Sequence, residues 1–325
     1  MHDVCFYEAF AEEAEALRSY LPASVNAHYT DKTIQESGHD TPPARLISIR
    51  TQSQVPLRWA PQLDAILSRS TGYDHLLAYA AQVLSPPALG YLPLYCHRAV
   101  AEHAMMVWMA LLRRLPRQLR QFPHFERDGI TGGECQGRTL GVIGVGHIGH
   151  EVYRIGTALG MKALGVDLDP RHGDVNYTPL NDALTKSDIL VCAMDLNATN
   201  RGYFGMPQWR QAKPGVLFVN VSRGELSPST SLLEALDAGL LGGVGLDVYN
   251  HEPALATALR LQIPITDPEV LAAIALSKRD DCLCTPHNAF NSSEAVDRKS
   301  EHSVRQILAF RERGAFLWTP PGRTR

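Results

Sequence analysis

The sequence predicts an α/β protein whose larger part is a doubly wound parallel sheet, and three observations predict it. Short runs rich in Val, Ile and Leu alternate with helical stretches along much of the chain. A glycine fingerprint, Gly144-Val-Gly146-His-Ile-Gly149, stands between one such run and a helical stretch. At 325 residues and 45% apolar, the chain is long enough for two domains with buried cores.

Charge and composition remove several classes. Thirty-one basic against thirty-four acidic side chains give a net charge of -3, which provides no field for nucleic acid or an anionic membrane. The opening MHDVCFYEAFAEEAEA has neither a basic leader nor an apolar core, so no secretory signal is expected. The longest apolar stretch worth testing, residues 104–112, is far short of the ~20 residues of a spanning helix. Six scattered cysteines favour a reducing cytoplasm over a disulfide framework. Cys282 and Cys284, two apart, suit one face of a strand and lack a second pair at zinc spacing.

In chain order, residues 4–7 read as a strand and 8–20 as an amphipathic helix; 46–50 and 65–70 read as further strands. The Pro- and Gly-rich stretch 85–95 reads as a crossing between domains. From Ala99 the pattern is helical and stops before Pro116, its Met, Trp and Leu side chains suiting a core or a dimer contact. Runs at 139–145, 162–167, 189–194, 216–221, 244–249 and 282–285 then predict a six-stranded sheet. Residues 254–278 read as one helix, and the tail 293–316 as a helix returning to the first domain.

The fingerprint sits in the context that its chemistry requires. Gly144 permits a tight turn, Gly146 lets backbone approach a pyrophosphate, and Gly149 allows close packing of helix on strand. The helix N-terminus offers free N–H groups to the phosphates. Asp167 ends the second strand of the series, where a carboxylate accepts ribose hydroxyls and repels a 2′-phosphate, so NAD is expected rather than NADP. Asp169 adds to the repulsion, and Arg171 opposes it. His147 and His150, three apart with no carboxylate at ligand spacing, read as helix-face residues, and no metal is expected.

Ligands of open α/β sheets bind beyond the carboxyl ends of strands. Arg223, Glu252 and His287 follow three successive predicted strands at that end. An arginine fork binds a carboxylate in bidentate fashion, a histidine exchanges a proton with a carbonyl oxygen, and a glutamate beside it favours the imidazolium. Each residue alone also suits a structural role: an ion pair, a surface acid, a satisfied loop histidine. Neither GxSxG nor HExxH occurs, so serine hydrolases and zinc proteases lack support.

Across nearly its whole length the chain resembles the D-isomer-specific 2-hydroxyacid dehydrogenase family. The likeness is carried by RSTGYDH (69–75), RAVAEHA (98–104), GVIGVGHIG (141–149), VNVSRGEL (219–226), GGVGLDVYNHEP (242–253) and TPHNAF (285–290). The resemblance implies a Rossmann-type doubly wound parallel sheet, residues 99–288, inserted into a smaller flavodoxin-like α/β substrate domain, residues 1–98 plus 289–325. It implies Arg223 as the substrate-orienting arginine, His287 as acid/base and Glu252 as its partner. The main chain around His147 and Ile148 would hold the pyrophosphate, Asp247 the nicotinamide carboxamide, and Asn197 and Val221 would line the cofactor site. Loop 50–53, with Arg50, and the turn Thr71, Gly72, Tyr73 would offer N–H groups to the substrate carboxylate.

One departure stands out. The family's Pro-Leu-Thr-Pro run reads Asp195-Leu196-Asn197-Ala198 here, which removes two prolines from a cofactor-lining loop. Tyr95, in Pro93-Leu94-Tyr95, and Phe290, after His287, fit the lactate-type branch and would close a small apolar pocket. Pyruvate and D-lactate are therefore the first expected substrate pair, with hydroxypyruvate or glyoxylate second. Phosphoglycerate comes third and would need further basic groups such as Arg50, Arg69 and Arg98. The family implies a homodimer, and it also includes NAD-sensing corepressors that act as binding proteins on the same fold.

Overall fold

The computed structural model describes residues 2–321 of the chain. It forms two compact units, the first Met1–Cys96 with Asn291–Arg325 and the second His97–Phe290. His97, Arg98, Ala289 and Phe290 all lie with the second unit.

The first unit is built on a five-stranded parallel sheet: β1 (Val4–Phe6), β2 (Ala27–Tyr29), β3 (Leu46–Ile49), β4 (Ala65–Ser68) and β5 (Ala88–Gly90). Their order, β2-β1-β3-β4-β5, is the flavodoxin-like order. Strands β3 and β4 are buried throughout, as a sheet covered on both faces requires. β2 and β5 are three-residue edge strands, too short to register as runs; β5 lies inside the stretch 85–95 that composition marks as a crossing.

The first helix spans Ala11–Tyr20 rather than beginning at residue 8. Glu8 is left-handed, with φ 54°, and its carboxylate accepts N–H bonds from Arg50 (3.0 Å), Gln52 (3.3 Å) and Ser53 (3.1 Å). Those bonds hold residue 8 out of helical geometry.

The tail helix, Ser293–Arg313, packs on Ala11–Tyr20 and stops at the left-handed Gly314. Its Gln306 is fully buried, donating to the Tyr91 and Trp318 carbonyls and accepting from the N–H groups of Leu317 and Trp318. Lys299 and Arg69, both buried, meet Glu13 at 3.0 Å and 2.8 Å. Burial alone would raise the Glu13 carboxyl, but the two cations overcome it and hold it at about 2.

The second unit carries β6 (Thr139–Ile143), β7 (Lys162–Val166), β8 (Ile189–Cys192), β9 (Val216–Asn220), β10 (Leu241–Leu246) and β11 (Cys282–Cys284), all parallel. Their order is β11-β10-β9-β8-β6-β7, and an isolated bridge from Gly165 to Tyr177 covers the outer edge of β7. Counting that bridge, the first half reads 3-2-1 and the switch point falls between β6 and β8, as in Rossmann-type sheets.

Helix His97–Leu112 buries Val107, Trp108 and Leu111. A Cβ on Gly245 would stand 2.1 Å from Val107 Cγ1, so the glycines of β10 make room for this helix. Residues 254–278 form two helices, Glu252–Leu261 and Pro268–Ser277, broken at the left-handed Gln262. Pro268 at the start of the second cannot continue a helix running into it. All six cysteines are free thiols; Cys282 is buried and Cys284 partly so, both on β11. No helix among the described residues is long and apolar enough to cross a membrane.

Candidate active site

The three strands that lead to Arg223, Glu252 and His287 are β9, β10 and β11, and these are neighbours in the sheet. Parallel neighbours lie about 4.8 Å apart, so chain segments remote in sequence leave the sheet side by side.

Arg223 follows β9 in an extended conformation and precedes the 3-10 turn Gly224–Leu226. Buried Asn220 holds this corner, donating to the Arg223 carbonyl (2.9 Å) and to Ser227 Oγ (2.7 Å) and accepting from Ser222 N (3.0 Å). A Cβ on Gly224 would fall 1.8 Å from the Tyr249 carbonyl carbon. Only glycine lets the arginine corner rest directly on the backbone that runs to Glu252.

Glu252 opens the helix Glu252–Leu261 after the left-handed His251. Its Oε1 lies 2.7 Å from His287 Nδ1. Both side chains are about a quarter exposed or less (25% for His287 and 20% for Glu252), so the contact is only partly screened. With Nδ1 facing the carboxylate, Nε2 is the nitrogen left to meet another molecule.

His287 has φ 52°, the left-handed region that a non-glycine residue occupies only when its surroundings impose it. The imposing group is Asp247. Its buried carboxylate accepts from Thr285 Oγ1 (2.6 Å), Asn288 N (2.8 Å) and Ala289 N (2.8 Å), on both sides of the histidine. Because the Thr285 hydroxyl donates to Asp247, it accepts from His103 Nε2, 3.0 Å away. Burial pushes the His103 imidazole below its ordinary value, against the pull of Asp247, so the ring is neutral near pH 7. Tyr249 completes the brace, donating to the Leu246 and Thr285 carbonyls.

Sequence reading finds the three strand-end residues and misses this support. The signal for Asp247 is a lone acid at the end of a glycine-rich strand; for His103 and Thr285 nothing local distinguishes them. Phe290 stands with His287, ring centroids 6.3 Å apart and planes at 77°.

The glycine turn fits a dinucleotide. Gly144 has φ 88°, and a Cβ there would strike Met194 backbone at 2.5 Å. On Gly149 a Cβ would lie 1.9 Å from Gly144 O, whereas on exposed Gly146, the N-cap of helix His147–Ala158, it would meet nothing within 4 Å. That open space and the free N–H groups of His147 and Ile148 form a cradle for a pyrophosphate. Asp167 follows β7, its carboxylate accepting from Val145 N (2.6 Å) and Asp169 N (2.9 Å), which ties it to the glycine turn. Arg171 pairs with Asp169 at 2.7 Å. Val221, buried, bonds the Cys192 carbonyl beside the turn. The loop that lacks two prolines is braced instead by side chains: Asn197 Oδ1 accepts from Thr199 N and Oγ1, and Asn200 bonds Asn197 N and the Asp195 carbonyl.

In the first unit one expectation is corrected. Main-chain N–H groups of loop 50–53 do not face an open site, because the Glu8 carboxylate takes those of Arg50, Gln52 and Ser53. A carboxylate supplied by the chain itself fills the nest that these N–H groups form. Thr71 and Gly72 differ: their N–H groups find no acceptor among the described residues. Tyr73 caps the helix Asp74–Ala81, its ring against Tyr91. Tyr95 is buried, and burial pushes its hydroxyl well above the usual range. Arg69 is buried on Glu13, and Arg98 pairs with Glu102 and Glu151.

Comparison with known proteins accords with this geometry. Residues 104–289 match the family model described as D-isomer specific 2-hydroxyacid dehydrogenase, NAD binding domain. The chain is 33% identical to D-lactate dehydrogenase of Escherichia coli over 74% of each chain. It is 28% identical to glycerate dehydrogenase of Methylorubrum extorquens over 78% of each. The crystal structure of D-lactate dehydrogenase from Aquifex aeolicus, complexed with NAD and lactic acid, superposes with a TM-score of 0.83 at 27% identity, covering 98% of this chain and 99% of that one. With a dinucleotide cradle and a histidine–glutamate pair at adjacent strand ends, the chain belongs to the D-isomer-specific 2-hydroxyacid dehydrogenases, NAD-dependent oxidoreductases.

Proposed function

We propose that this enzyme interconverts a small 2-keto acid and its D-2-hydroxy acid, with pyruvate and D-lactate the first pair and hydroxypyruvate or glyoxylate the second. The observation that carries the chemistry is the 2.7 Å contact between His287 Nδ1 and Glu252 Oε1 at neighbouring strand ends. NAD, when bound, supplies the hydride donor and acceptor. Arg223 binds the substrate carboxylate and polarises the adjacent carbonyl. His287 gives a proton from Nε2 to the carbonyl oxygen in reduction and takes it back in oxidation, while Glu252 stabilises the charged ring and fixes its orientation. Gly144, Gly146, His147, Ile148 and Gly149 hold the pyrophosphate, Asp167 the ribose, and Asn197, Val221 and Asp247 line the remaining cofactor surface. Asp247 Oδ2 accepts one bond within the chain and keeps capacity for a carboxamide N–H.

The free N–H groups of Thr71 and Gly72, beside Tyr73, suit a substrate carboxylate. Tyr95 and Phe290 suit a short alkyl group, and the lactate-acting relatives support that order. A phosphorylated substrate is disfavoured because Arg69 and Arg98 already hold carboxylate partners. The enzyme acts in the cytoplasm as a homodimer, a state favoured by the exposed Met106, Met109, Leu119, Phe122 and Phe125.

NADH oxidation with pyruvate, hydroxypyruvate, glyoxylate and 2-oxobutyrate tests the reading, with pyruvate expected to give the highest kcat/KM. Negligible turnover on all four with NADH binding intact would instead mark a binding protein of the corepressor kind.

A further inference from the structure

Spacing along the chain sets His150 on a helix face with no carboxylate nearby, and folding changes that. His150 stands in the first turns of helix His147–Ala158, whereas His172 and Asp174 lie in the segment between Asp167 and the Tyr177 bridge. A ligand atom from each of the three lies within 4.8 Å of the others. His150 Nε2 is 2.9 Å and 3.0 Å from the two Asp174 oxygens. The imidazoles stack with centroids 3.9 Å apart and planes 11° from parallel.

The supports of these side chains are fixed. Gly165 N donates to the Asn176 carbonyl (2.9 Å) and Thr178 N to that of Gly165 (2.8 Å), docking the segment on β7. Asn176 N donates to Tyr153 OH (3.0 Å), on the helix that carries His150, and His172 N donates to Tyr177 OH (3.3 Å). The cluster therefore spans two elements already held at a set separation.

We propose that His150, His172 and Asp174 form a binding site for a zinc-class divalent transition-metal ion that cross-links the segment after β7 to the dinucleotide helix. Zinc takes imidazole nitrogen and carboxylate oxygen at about 2.0–2.2 Å in a tetrahedron, which sets its donors roughly 3.3 Å from one another. His150 and Asp174 stand close to that separation now. A tilt of the His172 ring out of the stack brings the third donor in, and its partly exposed position allows the rotation. Water takes the fourth place. Two imidazoles exclude magnesium and calcium, which require oxygen donors. The ion takes the place of the His150–Asp174 hydrogen bond, and because imidazole ligates metal only in its neutral form, binding weakens in acid.

The test uses the full-length, tag-free enzyme, with Zn2+ titrated by competition against a chromophoric chelator and Co2+ followed by visible absorption. One equivalent should bind, without the near-ultraviolet band of thiolate ligation, unaffected by millimolar Mg2+, and should raise the unfolding temperature. His172→Ala and Asp174→Ala should each weaken binding about tenfold or more and abolish the thermal shift, while binding NADH like the parent protein. His39→Ala, in the first unit, where the rings of His2, His28 and His39 meet in succession, should change nothing. No saturable binding, a thiolate band, or binding that survives both His172→Ala and Asp174→Ala would overturn the site.

Discussion

Replacing Glu252 by Gln removes a charge and little else, because an amide oxygen can still accept from His287 Nδ1. Across the 2.7 Å contact, Coulomb's law at an effective dielectric of 20 gives about 6 kcal/mol between full charges. Exposure of 25% and 20% for the two side chains lets water screen much of that. The difference between a charged and a neutral acceptor is then on the order of 1.5–3 kcal/mol. It applies only when the ring is charged, which for pyruvate reduction is before proton transfer and for lactate oxidation is after it. In steady-state assays with saturating NADH, kcat/KM should fall about 10- to 100-fold. NADH affinity, measured by fluorescence quenching, should stay within about twofold. A rate unchanged within about twofold, or lost NADH binding with normal turnover per bound complex, would refute the assignment of this pair to proton transfer.

Other substitutions probe neighbouring claims. His287→Ala should abolish turnover with NADH affinity within a few fold, as titration of the variant would reveal. Asp167→Ala should relax the preference for NADH over NADPH, read as the ratio of kcat/KM values; an unchanged ratio would mean the ribose is read elsewhere. Gly224→Ala sets a Cβ 1.8 Å from the Tyr249 carbonyl carbon, and urea denaturation should show a loss of about 3 kcal/mol or more. Glu13, held at about 2 against an ordinary 4.5, contributes stability that is full above pH 4.5 and is lost as pH falls toward 2. Between pH 5 and 3 that loss is on the order of 2 kcal/mol, and Glu13→Gln, if it folds, should flatten this part of the pH profile.

Much of this molecule is legible in the sequence because its dominant signals are local. Strands β6, β8 and β9 of the second unit are near-continuous apolar runs, which burial on both faces of a parallel sheet imposes. The glycine fingerprint is legible as a fixed spacing between a strand and a helix, although only Gly149 answers to a group a few residues away, whereas Gly144 answers to the distant Met194 backbone and Gly146 to open space. The edge strands β2 and β5 are not legible: three residues carry no periodicity, β2 is only half-buried, and β5 lies inside a Pro- and Gly-rich stretch. The start of the first helix is misread for another reason. Glu8 is helix-compatible by propensity, but three N–H donors more than forty residues away hold it in a left-handed conformation.

The same division runs through the active site. The order of residues along the chain carries the fold class, the dinucleotide turn and the placement of Arg223, Glu252 and His287 after three neighbouring strands, because each follows its own strand and the rule that sites lie at strand ends is topological. What holds them in place emerges with folding. Asp247 pinning the left-handed His287, the chain Thr285–His103 behind it, and the seat of Gly224 on Tyr249 all join segments tens of residues apart. Hydrogen bonds and close packing depend on distance in space, and the sequence records only distance along the chain.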